Sequence, residues 1–373
     1  MRESGPSEGA LKKQIFVIVT ILLSTLAVAA ICTAAFFLLE RPTYRLLGGL
    51  RQVRFVRAYL FDRKVRRLAR ALRRGDPRTD LFKTMWDTNS GVMLSRQMFR
   101  EVDMDGVQKY EYKPNLHKLS FSTGAGDLQW RMETVDTADM REALAGLDTT
   151  FLVTASYDSN GFRRVAPEFS SECRAHVLFL GDSFTDGLWV NDEDTFVNVY
   201  GELARARAGV RVCPVNAGVN GYGPPEERFA LEHDFDRAGK PSVVFVMFFP
   251  NDVDQDYDAV VRGTVPGEDR LWQASLNELH VMREFANSHG SALVLAAIPP
   301  AEQVFDRAPR THYQDVLRKF ATREGIRFID LYDGLVARDP HPLYWSWDPH
   351  LTPAGHRVVA ELLCEATKDL LHE

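Results

Sequence analysis

Cysteine is scarce in this chain. Four among 373 residues, Cys32, Cys173, Cys213 and Cys364, form no C-x-x-C pair and no Cys/His group at ligand spacing, so neither a disulfide framework nor a structural zinc is expected. G-x-S-x-G, the Walker A pattern and H-E-x-x-H are also missing. Their absence removes a nucleophile elbow of that type, a phosphate-cradling loop and a two-histidine zinc helix. No internal repeat or low-complexity tract interrupts the sequence. Its 45% apolar and 26% charged residues supply a large buried core and exclude wholesale disorder.

One hydrophobic run stands out by its length. Residues 15–39 hold 25 positions without a formal charge, and at about 1.5 Å rise each they cross a hydrocarbon layer of roughly 30 Å. The run reads as a transmembrane helix behind a short tail, 1–14. A cleaved signal peptide is the alternative, with Lys12 and Lys13 ahead of the run and Ala27, Ala29 and Ala30 inside it, although the run is long for an h-region. Ile31, not a small residue, precedes Cys32, which speaks against a lipid-modified cysteine.

Charge is unevenly spread. Residues 1–80 carry 16 Lys/Arg against 6 Asp/Glu, a net of +10 in a chain whose total is -6. Within the segment 40–80, thirteen basic residues lie between positions 41 and 78, and Val53, Val56, Leu60, Leu68 and Leu72 keep to one helical face. Such a helix beside a membrane span can lie on anionic headgroups; a solvated stalk is the second reading. Nucleic acid is not an expected partner, since no stacking platform or DNA-binding motif accompanies the charges. The positive-inside rule would keep the following bulk in the cytoplasm, but long domains translocate regardless of charge, so both orientations stay open.

Residues 81–165 mix polar, aromatic and glycine-containing stretches with short alternation, and read as an accessory segment packed on the main domain, 166–373. There the pattern becomes regular. Apolar runs at 177–180, 210–215, 243–249, 292–298 and 328–331 alternate with helical stretches at 195–208, 225–237, 271–288, 312–323 and 353–371. Short apolar runs alternating with helices predict parallel strands buried on both faces, hence a three-layer α/β sheet whose ligands bind beyond the carboxyl ends of the strands.

Chemistry-bearing residues follow those strands. Gly181-Asp182-Ser183-Phe184-Thr185 comes after the first run, where a serine on a strand-to-helix turn can point its hydroxyl into the crevice beside backbone N–H donors. Asn216 to Gly223 follows the second run and includes Gly218, Gly221 and Gly223, which let a loop approach a ligand; its order is not that of a dinucleotide site, so no cofactor is expected. Asn251 follows the third run and can offer amide N–H to an oxyanion. Asp348 and His350 precede the last helix, where a histidine can deprotonate the serine and a carboxylate can hold its tautomer. Each motif taken singly fits an ordinary turn or cap; their common placement at strand ends points to one site. Asp182, Asp186 and Asp252 could also be read as metal or glycosidase carboxylates, but strand-end turns favour Asp and a serine mechanism needs no metal.

With these residues in place, the sequence from about 160 to 370 resembles the SGNH hydrolases, also called GDSL esterases and lipases. Gly181–Thr185 looks like that family's first block, Gly221 its second, Asn251 its third and the Asp348/His350 pair its fifth, with Asn160-Gly161-Phe162-Arg163 as a lead-in similar to that of membrane-anchored relatives. The resemblance implies a flavodoxin-like three-layer α/β/α sandwich with Ser183 as nucleophile and His350 as base. It also implies an oxyanion hole made of the Ser183 N–H, the Gly221 N–H and the Asn251 side chain, and no metal. Two positions depart from the pattern: Phe184 stands for Leu, and D-x-H replaces D-x-x-H because Trp347 occupies the place of the acid. Asp348 or a backbone carbonyl is then left to orient His350. Phe184, Trp189, Tyr222, Phe248 and Phe249 fit either an acyl pocket or the core.

The expected function is a membrane-anchored serine esterase or acylhydrolase acting on an acyl or acetyl ester in a small molecule, lipid or glycan, with the side of its catalytic domain left open by the charges and the family resemblance favouring the extracytoplasmic one. Two rivals share the sequence: an O-acyltransferase on a cell-envelope glycan or lipid, and a non-catalytic anchored binding module.

Overall fold

Alternation of small clusters of β-formers with turns gives the accessory segment its sheet, from Leu81 to Ser156. The computed structural model describes residues 81–371 apart from 84–92, 96–97, 105–106, 124–129, 146–148, 167–172, 210, 255, 266–267, 307–310 and 340–341. All belong to the compact unit Leu68–Glu373. The expected tail 1–14, membrane span 15–39 and basic segment 40–80 lie outside the described residues. Among the described residues no helix is long and apolar enough to cross a membrane.

The accessory segment is a mixed sheet in the order β1 (Leu81–Lys83), β2 (Met93–Ser95), β6 (Trp130–Val135), β5 (His117–Thr123) and β7 (Thr149–Ser156). A separate hairpin pairs β3 (Phe99–Met104) with β4 (Val107–Tyr112), and α1 (Ala138–Ala145) precedes β7. Met98, Phe99, Tyr112, Leu116, Ala155 and Tyr157 from this segment are buried in the same apolar cluster as one face of the second sheet.

That second sheet is fully parallel. Its order is β9 (Val212–Asn216), β8 (Ala175–Gly181), β10 (Val243–Phe248), β11 (Ala292–Ala297) and β12 (Arg327–Asp330), which is the 2-1-3-4-5 winding that places a switch point between β8 and β10. Strand periodicity of two divides the apolar side chains between both faces. Leu178, Leu180, Val244, Val246, Phe248, Leu293 and Leu295 face α4 (Pro224–Asp234), α6 (Glu268–Ser288) and α8 (His312–Glu324). Val177, Phe179, Val243, Phe245, Met247 and Val294 face α3 (Phe196–Ala208) and α10 (Pro353–Thr367). Each such side chain fully withdrawn from water contributes about 1.5–3 kcal/mol before the entropy of ordering is set against it. The result is an α/β fold built on a central five-stranded parallel sheet.

The apolar runs and long helices of the sequence lie where these elements form. Four short helices were not foreseen: α2 (Ser183–Asp186), α5 (Tyr257–Arg262), α7 (Ala301–Asp306) and α9 (Tyr332–Val336) are too brief for a 3.6-residue period to register.

The cysteine reading needs correction. Cys173 and Cys213 form a disulfide across 40 residues, with Cα atoms 5.5 Å apart, while Cys364 is free and buried. Cys213 lies opposite His176 in the β8–β9 register, and only this strand adjacency brings the two cysteines together.

Candidate active site

Ser183 opens α2 directly beyond β8, at the switch point. The turn is held from two sides. Asp182 Oδ1 accepts from Phe184 N–H at 2.8 Å, and the buried Arg163 guanidinium reaches back to donate to the carbonyls of Gly187 and Val190, each at 2.6 Å, and to that of Asp186. Asp192 pairs with the same guanidinium at 2.9 Å. A cation satisfied by that many carbonyls fixes a short helix that could not persist through its own hydrogen bonds.

His350 reaches the serine from the opposite end of the chain. Its Nε2 lies 2.7 Å from Ser183 Oγ, and its Nδ1 hydrogen-bonds Asp348 Oδ1, which also accepts from the His350 backbone N–H at 3.0 Å. The loop carrying both is braced by Trp345 N–H to His350 O and Thr352 N–H to Leu343 O, each at 3.0 Å. Thr352 caps α10 through Gly355 N–H, and Pro353 fits the first turn, where no N–H is needed. Asp348 therefore faces His350 from two residues away, while Trp347 offers no carboxylate. Phe184 covers the imidazole with ring centroids 4.6 Å apart and packs on Phe249 at 4.2 Å.

Asn251 sits in the 3-10 turn Pro250–Asp252 after β10. Its Nδ2 donates to Asp182 Oδ2 at 2.8 Å, which joins the third motif to the first and leaves one amide hydrogen for another acceptor. Gly221 lies in the loop beyond β9 at φ 91°, a left-handed conformation that favours glycine. The loop is tied to the end of β8 by Val219 N–H to Gly181 O at 3.1 Å. Gly218 presses on the Ser183 turn so closely that a Cβ there would stand 2.2 Å from Asp186 N. Ser183, His350, Asp348 and Asn251 are thus joined by direct or one-residue links, with the Gly221 loop bonded to the same strand end. Phe248, Phe249, Phe184, Trp189 and Tyr222 are each buried, 4% exposed or less, which places them in the core.

The acidic residues have occupations of their own. Burial would lift Asp186, but Lys118 and Arg163 outweigh it and hold its carboxyl below the usual range. Lys118 reaches it at 2.9 Å and Glu133 at 2.8 Å, and Tyr157 OH donates to it at 2.6 Å. Burial raises Asp182, against the opposing hydrogen bonds from Phe184 and Asn251. Asp252 is pushed well up by burial and by neighbouring Glu227, and accepts from Phe249 N–H at 3.0 Å. One group among the described residues has metal-like proximity, Glu111, His233 and Asp234; Arg100 holds Glu111 at 2.5 Å and Arg237 holds Asp234, so it reads as an ion-pair network.

Sequence reasoning missed the accessory residues around the site. Lys118, Glu133, Tyr110, Tyr112 and Tyr157 contact Asp186 or the Gly221 loop over long separations. The Asp105-Gly106 dipeptide, a hairpin signal between β-forming stretches, could have located the strand bearing Tyr110, but nothing local signals what Tyr110 touches.

The chain is similar to known proteins. Residues 179–358 match the model of the GDSL-like Lipase/Acylhydrolase family. No curated protein matches the chain. Among solved structures, the acetylxylan esterase Axe2 from Geobacillus stearothermophilus is similar at 20% identity and TM-score 0.40, covering 52% of this chain and 94% of its own. LAE5, an alpha/beta hydrolase enzyme from the metagenome of Lake Arreo, is similar at 22% identity and TM-score 0.42, covering 54% of this chain and 99% of its own.

Proposed function

We propose, for a chain that is a hydrolase acting on ester bonds, that Ser183, His350 and Asp348 cleave a carboxylic ester, acyl or acetyl, through an acyl-enzyme. The observation that carries this reading is the continuous hydrogen-bonded line from Ser183 Oγ through His350 to Asp348. His350 Nε2 takes the hydroxyl proton as Oγ attacks the carbonyl carbon. The Asp348 carboxylate keeps the Nδ1–H tautomer in place and favours the imidazolium that forms. Negative charge collects on the former carbonyl oxygen, to which the Ser183 N–H, the Gly221 N–H and the remaining Asn251 amide hydrogen are assigned. Collapse expels the alcohol, protonated by His350, and water attacks the acyl-enzyme with His350 again as base.

Membrane anchoring through residues 15–39, with contact of residues 41–78 to anionic lipid, belongs to the same proposal. An extracytoplasmic catalytic domain is supported by the Cys173–Cys213 bridge, because disulfides persist in oxidising compartments.

The test compares p-nitrophenyl acetate and octanoate turnover by the detergent-solubilised chain, with a sugar hydroxyl offered as acceptor. Turnover lost in Ser183→Ala and His350→Ala, with acid as the main product, is the expected result. Full turnover in Ser183→Ala contradicts the mechanism, and acyl transfer to the sugar in competition with water favours an acyltransferase.

A further inference from the structure

The Asn220–Gly221 peptide is gripped by the accessory segment. Tyr110 OH, on β4, donates to the Asn220 carbonyl at 3.1 Å. Tyr222 OH, from the other side of the same loop, donates to the Tyr110 carbonyl at 3.0 Å. The Asn220 side chain is held as well: its Nδ2 donates to Glu133 Oε2 at 2.7 Å, while Glu133 Oε1 takes Ser120 Oγ at 3.0 Å and Lys118 Nζ at 2.8 Å. Glu133, Ser120 and Lys118 are buried. Packing this close pushes the Tyr110 hydroxyl up to about 12, chiefly through burial, so it remains a donor across the working range.

A trans peptide points its C=O and N–H in opposite directions, and none of the described peptide bonds is cis. Fixing the Asn220 oxygen against Tyr110 therefore fixes the Gly221 N–H on the side away from the accessory hairpin. The neighbouring amides are occupied, Val219 N–H by Gly181 O at 3.1 Å and Tyr222 N–H by Val219 O at 3.0 Å. No acceptor is paired with Gly221 N–H among the described residues.

We propose that Tyr110 is a positioning residue for the oxyanion hole, its hydroxyl setting the Asn220–Gly221 peptide so that the Gly221 N–H is presented to the reacting ester. The proposal rests on the reading of Ser183 and Gly221 given above. It makes the accessory segment part of the catalytic apparatus: a contact 110 residues away in sequence orients one donor, and Glu133 steadies the side chain beside it.

The experiment uses the full chain in detergent and three tyrosine variants, each losing only a hydroxyl. Deleting an oxyanion donor outright costs about 10²–10³ in kcat, so a donor left in place but loosened is expected to cost roughly tenfold. Tyr110→Phe should lower kcat for p-nitrophenyl acetate by about that factor with KM little changed. It should also weaken a trifluoromethyl ketone, which forms a tetrahedral adduct, by the same factor. Tyr222→Phe should show the same pattern to a smaller degree, and serves if Tyr110→Phe does not fold. Tyr200→Phe removes a buried hydroxyl bonded to Thr367 at 3.0 Å and should leave both readouts unchanged. Wild-type kcat and inhibitor affinity in folded Tyr110→Phe or Tyr222→Phe, with Ser183→Ala inactive, overturns this inference and leaves the esterase reading intact. Turnover persisting in Ser183→Ala overturns both.

Discussion

The Asn251 amide donates to Asp182, the residue immediately before the proposed nucleophile, at 2.8 Å. One carboxylate thereby serves two motifs, since its other oxygen accepts from Phe184 N–H at 2.8 Å and caps the helix that begins with Ser183. Asn251→Ala should lower kcat by about 10²–10³ with KM little changed, the usual cost of losing an oxyanion donor. Asp182→Asn keeps an oxygen for Phe184 but sets an amide group against the Asn251 amide, so Asn251 must turn away. Steady-state kinetics should register a fall of roughly tenfold in kcat; wild-type kcat in Asp182→Asn would mean that this contact does not orient Asn251.

A second expectation concerns acid. His356, buried in α10, accepts from Phe196 N–H through Nδ1 at 3.1 Å, and burial, with Arg163 and His350 nearby, lowers it from 6.5 to about 3. Between those values the unfolded chain binds a proton that the folded chain refuses. Stability attributable to this group is therefore full above pH 6.5 and falls as pH drops toward 3, with a slope near 1.4 kcal/mol per pH unit for one proton. Urea unfolding from pH 7 to pH 4 should lose stability more steeply in the wild type than in His356→Asn, the difference between the two slopes approaching this value. Equal slopes would assign the acid sensitivity elsewhere.

The disulfide gives a third. Cys173 and Cys213 should resist alkylation until a reductant is added, while Cys173→Ser should cost about 2–4 kcal/mol by freeing the 40-residue loop in the unfolded chain. Mass spectrometry of alkylated peptides reads the first and denaturant unfolding the second. Ready alkylation of both cysteines in protein isolated without reductant would remove the support for an oxidising compartment.

The parallel sheet was legible because strands buried on both faces have no choice but to be apolar. Phe245, Val246 and Met247 announce such a strand without any long-range information. That Ser183, Asn251 and His350 come together was legible for a related reason: such a winding gathers the residues just past its strand ends, so position narrows the choice. What escaped the sequence depends on pairs far apart in the chain. Cys213 meets Cys173 only once β8 and β9 are neighbours, and the Lys118–Asp186 ion pair joins an accessory strand to the helix that begins with Ser183. Tyr110 is the clearest case, because a tyrosine on a short hairpin looks like any half-buried aromatic until the Asn220 carbonyl is seen beside it. The reverse also occurred: Phe248 and Phe249 fit an acyl pocket by location, yet close packing around β10 had already claimed them.

The most direct test of the central claim is covalent. The full chain is treated with a fluorophosphonate, digested, and its peptides mapped by mass spectrometry, alongside Ser183→Ala and His350→Ala. The account predicts one adduct, on Ser183, absent in Ser183→Ala and formed far more slowly in His350→Ala. An adduct on a different serine, or undiminished labelling of Ser183→Ala, would contradict it.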